Sequence, residues 1–102
     1  MRVTRGQQAE TDAFDIALHI SEDSMDAAER FLDQGEITVR QLQHFPRSGP
    51  HVALVQSPRL RCLAVPGFPK YFLFYELNSG EVGIAQIGDI RRDWSAPPED
   101  EI

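Results

Sequence analysis

The chain has 102 residues, of which 41% are hydrophobic and 25% charged, and carries a formal net charge of −6. That suits one small domain with its own core and excludes a wholly disordered chain. The acidic balance excludes broad nucleic-acid binding through a basic surface, which needs clustered Lys and Arg, and the lone Cys62 excludes a disulfide framework or a multi-cysteine zinc site.

Arg2 to Arg5 is short enough for an edge strand, ended by Gly6. From Gln8 to Ile20 the apolar residues fall at Ala9, Ala13, Ile16, Ala17 and Ile20, the spacing of a helix with one buried stripe. Its acids Glu10, Asp12 and Asp15 lie toward the N-terminal half, where the helix dipole favours negative charge. After the break Ser21-Glu22-Asp23, Ser24 can cap a second helix by accepting from the free N–H groups of its first turn. That helix is predicted over Met25 to His44, with Ala28, Phe31, Leu32, Val39 and Leu42 as its stripe and Gly35 as a weak point. Pro46 forbids continuation and pushes Phe45 out of the helical region. A break this short makes the two helices a hairpin.

The second half reads as strands. His51 to Gln56 is a candidate first strand, Arg59 to Val65 a second, and Pro66-Gly67-Phe68-Pro69 a turn. Lys70 to Leu77 (KYFLFYEL) is apolar on both faces, as in a central strand. Asn78-Ser79-Gly80 closes a hairpin onto Glu81 to Gly88. The expected architecture is α+β: an N-terminal helical hairpin on a small antiparallel sheet of three to four strands. Residues 1–95 form the single domain, and 96–102 form a Pro-rich, acidic, flexible tail. A helix pair covers one face of a sheet, so the other face is expected to hold aromatic side chains against a partner chain, a second copy of the protein, or the tail.

The start lacks a charged-then-apolar leader, and no apolar run approaches the roughly 18 residues of a membrane span, so a cytoplasmic protein without membrane contacts is expected. Nine of the ten basic residues are arginine, and most of the second half's charge is theirs, so any anion site should be local and on the sheet. Arg61, mid-strand among apolar neighbours, either grips an anion on the open face or pairs with Glu76 or Asp89. Arg91, Arg92 and Trp94 follow the last strand; they can hold a phosphate and stack on a base or partner side chain, or Arg92 can pair with Asp93 while Trp94 packs on the core. Tyr71 and Tyr75 share one strand face, as catalytic or stacking groups or, the stronger reading, as packing. His19, His44 and His51 have no metal-ligand spacing, and no phosphate loop or nucleophile motif is present; neither a metal nor a cofactor is expected. Cys62 reads as a buried structural thiol.

These pieces in order resemble the RelE/ParE superfamily of toxins from bacterial type II toxin–antitoxin modules. The resemblance rests on Ala9-x-x-Asp12 with Ile16 and Ile20, then Ala28 and Phe31. It continues through Leu42-x-x-x-Pro46-x-x-Gly49, Leu60-Arg61-x-Leu63-x-Val65, Phe72-x-Phe74-Tyr75 and Arg92-Asp93. It implies a helical hairpin on a sheet of about four strands, and an antitoxin whose C-terminal segment wraps the toxin. Antitoxin contacts are then expected at Tyr71, Leu73 and Tyr75, and target contacts at Arg61, Arg91, Arg92 and Trp94.

The superfamily has two activities: RelE-like members cut mRNA on the ribosome, and ParE-like members inhibit DNA gyrase. Members commonly show His-x-x-Arg-Asp after the last strand, where this chain has Asp89-Ile90-Arg91-Arg92-Asp93. An aspartate at that place does not supply a cationic acid for a leaving ribose oxygen. Lysine is nearly absent and the net charge is negative, so the ParE-like branch is favoured, with gyrase as target. The alternatives are a ribosome-dependent endoribonuclease using Arg61, Tyr75 and Arg92, with Tyr71 as a substitute for Tyr75, and a non-toxic interaction module derived from such a toxin.

Overall fold

The computed structural model describes residues 1–52 and 59–89. Strand β1 (Arg2–Arg5) leads through Gly6 into α1 (Gln7–Ser21), which buries Ala9, Ile16 and Ala17 against the sheet. The turn after α1 is closed by the Asp23 and Ser24 N–H groups, both donating to the Ile20 carbonyl at 3.0 Å. Helix α2 (Met25–His44) starts where Ser24 Oγ accepts from the Ala27 N–H at 3.1 Å. It buries Ala28, Phe31, Thr38, Val39 and Leu42, and the buried Thr38 hydroxyl donates to the Gln34 carbonyl at 2.8 Å. Pro46 ends it, with the Phe45 N–H closing the last turn onto the Gln41 carbonyl at 2.7 Å.

Strands β2 (Arg61–Val65), β3 (Phe68–Asn78) and β4 (Glu81–Asp89) form an antiparallel meander. The turn between β2 and β3 is tighter than expected: Phe68 and Pro69 belong to β3, and Gly67 turns the chain at a φ of 85°. Of the strand expected at 51–56, His51 makes one bridge to Arg61 and the Val52 N–H donates to the Leu60 carbonyl at 2.8 Å; residues 53–58 lie outside the described residues, as does the tail at 96–102.

The sheet order is β1-β4-β3-β2, and β1 runs parallel to β4, so the sheet is mixed rather than wholly antiparallel. Parallel pairing follows from the connection, because the helical hairpin carries the chain back across the sheet before the meander begins. Tyr75 pairs with Ile84 and Phe74 with Gln86, so Ala85 is an extra residue in β4. β1 ends at that place: Arg5 pairs with Ile84, and the Gly6 N–H donates to the Ile84 carbonyl at 2.9 Å. Beyond it, the Asp12 carboxylate from α1 accepts the Ile87 N–H at 3.0 Å, which satisfies the edge that β1 no longer covers.

The core lies between hairpin and sheet in two clusters. One joins Ala9, Val39 and Leu42 to Leu73, Tyr75, Val82 and Ile84. The other gathers Ile16, Ala17 and Phe31 on Val65 and Tyr71, with Phe31 meeting the Phe68 and Tyr71 rings edge-on at 5.4 and 5.6 Å. A cavity of about 70 Å³ remains between α1, α2 and the sheet, lined by Ala13, Gly35, Leu73 and Ile87 among others. At its rim Arg5 grips Glu36 through two 2.8 Å hydrogen bonds. That bidentate bond holds the Glu36 carboxyl below, and the Arg5 guanidinium above, their ordinary values.

Candidate functional site

The densest polar arrangement lies where the segment after α2 passes β2 and β3. Gly49 is buried there, its N–H donating to the Tyr75 hydroxyl at 2.9 Å and its carbonyl accepting from the Arg61 guanidinium at 2.7 Å. The same Arg61 nitrogen reaches the Arg47 carbonyl at 3.4 Å, and the Pro50 carbonyl accepts the Cys62 N–H at 3.0 Å. A Cβ on Gly49 would stand 2.3 Å from the Cys62 carbonyl oxygen and 2.8 Å from the Tyr75 hydroxyl. Close backbone approach, not an unusual φ, therefore requires glycine at this position.

This arrangement reassigns two residues. Arg61 is half-buried, and among the described residues no carboxylate lies within ion-pair distance of it, so neither Glu76 nor Asp89 is its partner. It holds the Arg47 and Gly49 carbonyls of the loop instead. Tyr75 is wholly buried and its hydroxyl is engaged with Gly49.

The large apolar residues of β3 divide between the two faces of the sheet. Tyr71, Leu73 and Tyr75 are 9%, 1% and 0% exposed, because that parity of β3 faces the helices. On the other parity Phe74 is also wholly buried and Phe72 half-buried, their rings 6.3 Å apart. Among the described residues the exposed large apolar side chains lie elsewhere: Met1 at the start of the chain, Phe14 and Leu18 on α1, Met25, Leu32 and Ile37 on α2, and Phe45 just after it. Asp89 is buried at the end of β4, opposite Tyr71. Arg91, Arg92 and Trp94 lie outside the described residues.

Burial pushes the Cys62 thiol above its ordinary value, the reverse of what a nucleophilic thiolate requires. Among the described residues no three His, Cys, Asp or Glu side chains are placed to hold a metal ion, and no helix is long and apolar enough to cross a membrane. The sequence marks Gly49 only through Pro46-x-x-Gly49, a glycine soon after a helix-ending proline, and nothing local shows its close approach to β2.

Comparison with known proteins agrees with the fold. No curated protein sequence matches the chain. Among solved structures, a toxin–antitoxin complex described as the chromosomal ParDE system from P. aeruginosa matches with a TM-score of 0.72. It is 18% identical and covers 87% of this chain and 95% of its own. A family model described as the ParE toxin of the type II toxin–antitoxin system parDE matches residues 3–94. A match across nearly the whole chain shows membership: the protein belongs to the ParE toxin family of type II toxin–antitoxin systems.

Proposed function

We propose that this ParE-family toxin acts in the cytoplasm by binding and inhibiting DNA gyrase, and is neutralised by a cognate antitoxin. Family membership supports a binding toxin, and one structural observation weighs against the ribonuclease alternative. Two of the three side chains such a nuclease would use, Arg61 and Tyr75, are engaged with the backbone of Gly49. A wholly buried hydroxyl that already accepts a backbone N–H is poorly placed to exchange protons with RNA. Target contacts at Arg91, Arg92 and Trp94 remain part of the proposal, while Arg61 acts by shaping the neighbouring loop.

The antitoxin segment, folding as it binds, covers exposed apolar residues of the hairpin, Phe14, Leu18 and Leu32, in place of Tyr71, Leu73 and Tyr75. The purified protein should inhibit supercoiling of relaxed plasmid by gyrase and leave messenger RNA intact in a translation extract. Codon-positioned cleavage in that extract, with supercoiling unaffected, would overturn the reading. Co-expression of a cognate antitoxin should restore growth.

A further inference from the structure

We infer that the loop Phe45–Gly49 is a docking surface for an acidic protein segment that carries an apolar anchor. Phe45 is 66% exposed, directly after the C-terminus of α2. Its ring sits 6.4 Å from that of His44, beside Arg47, on an open concavity of about 500 Å³ lined by Gln41, His44, Phe45, Pro46, Arg47 and Ser48.

The loop is held, which distinguishes it from an ordinary surface turn. Gly49 is fixed at both its N–H and its carbonyl, the Ser48 N–H donates to the Phe45 carbonyl at 3.1 Å, and Gln41 reaches the Ser48 hydroxyl at 3.4 Å. An aromatic side chain presented on a pre-shaped loop loses little conformational freedom on binding, which is what a contact residue requires.

The polar groups specify the sign of the partner. The carbonyls of Gln41, Phe45, Arg47 and Gly49 already accept hydrogen bonds within the loop, so acceptor capacity there is largely used. Arg47 is the charged residue of the lining, beside His44, Gln41 and Ser48, and the lining holds no Asp or Glu. Among the described residues no carboxylate lies within ion-pair distance of Arg47. A concavity with a guanidinium and no carboxylate, beside an exposed ring, fits carboxylates with an aliphatic or aromatic side chain between them. Nucleic acid would also offer anions and stacking faces, but holding a phosphate backbone takes clustered Lys and Arg, and the lining supplies one guanidinium.

The surface is argued from its own geometry and does not depend on gyrase being the target. The test is titration of the full-length ¹⁵N-labelled protein with three probes: a blocked nine-residue peptide alternating Glu with Leu and Phe, the same peptide with Lys in place of Glu, and a ten-nucleotide oligothymidine. The acidic peptide should shift the amide signals of His44, Phe45, Arg47 and Ser48, and the other two should not. Phe45→Ala and Arg47→Glu should each weaken the acidic peptide at least tenfold while melting within about 2 °C of the wild type. Unmoved signals at His44, Phe45, Arg47 and Ser48, or equal shifts with the basic peptide, would overturn the inference, and stronger shifts with oligothymidine would make the surface a nucleic-acid site instead. Failure of wild-type protein to inhibit gyrase would refute only the proposed function, since the peptide titration decides the docking surface separately.

Discussion

Replacing Gly49 with Ala adds one methyl group and should be among the most damaging conservative changes available to this protein. The new carbon would lie 2.3 Å from the Cys62 carbonyl oxygen, a backbone atom that cannot rotate away. Relief requires the loop and β2 to part by about 1 Å to reach ordinary contact distance. Three hydrogen bonds cross that gap: Gly49 to Tyr75 at 2.9 Å, Arg61 to Gly49 at 2.7 Å and Cys62 to Pro50 at 3.0 Å. With about 0.5–1.5 kcal/mol for each neutral bond and about 1.5–3 for the charged one, losing all three costs about 2.5–6 kcal/mol. That approaches the whole stability expected of a small domain, about 5–15 kcal/mol. Tyr75→Phe isolates one part of this, leaving the Gly49 N–H buried without its acceptor, at about 1–3 kcal/mol or a melting temperature lower by about 5–14 °C. Urea and thermal unfolding of both variants measure this directly, with Gly49→Ala the more damaging. A Gly49→Ala protein melting within about 2 °C of the wild type would refute the clamp.

Gly35→Ala should act in the opposite direction. A Cβ there meets nothing within 4 Å, so the change gains about 1 kcal/mol of helix propensity, and thermal melting should rise by a few degrees. Ser24→Ala removes the acceptor of the Ala27 N–H and should cost about 1 kcal/mol in urea unfolding. The Arg5–Glu36 pair predicts a pH dependence: the folded carboxyl lies below its ordinary value of 4.5, so its contribution is present above that pH and is lost as pH falls through the depressed folded value. Because the two side chains are 39% and 53% exposed, solvent screening limits the pair to about 1 kcal/mol or less. Wild type and Glu36→Gln should differ by that amount at pH 7 and converge in acid, and a difference that persists at pH 2 would contradict the assignment.

Local chemistry was legible where it was strong. The bounds of α2, Met25–His44, follow from a capping serine and a helix-ending proline, two signals that act within a turn of the helix. β3 and β4 announced themselves by aromatic content and by a glycine turn. The placement of β1 did not, because no local pattern states that residues 2–5 lie parallel to residues 81–84. Alternation placed Tyr71, Leu73 and Tyr75 on one face, but on a strand apolar on both sides parity cannot say which face the helices take. The role of Arg61 was hidden for a related reason: its partners are carbonyls, which every sequence has and no sequence displays.

The pairing of β1 with β4 also bears on how the molecule comes to be. Arg2 meets Glu81 and Arg5 meets Ile84, so the outer strand joins residues with nearly the whole chain between them. Closing a loop of that size costs about 4 kcal/mol of chain entropy beyond a constant, and the pairing returns nothing until β4 exists. Hairpin and meander can form from near neighbours, whereas the sheet's last seam waits for the last described strand. During synthesis, then, β1 and the β3 edge stay without their partner until β4 emerges, and an incomplete chain is a sticky fragment rather than a finished toxin.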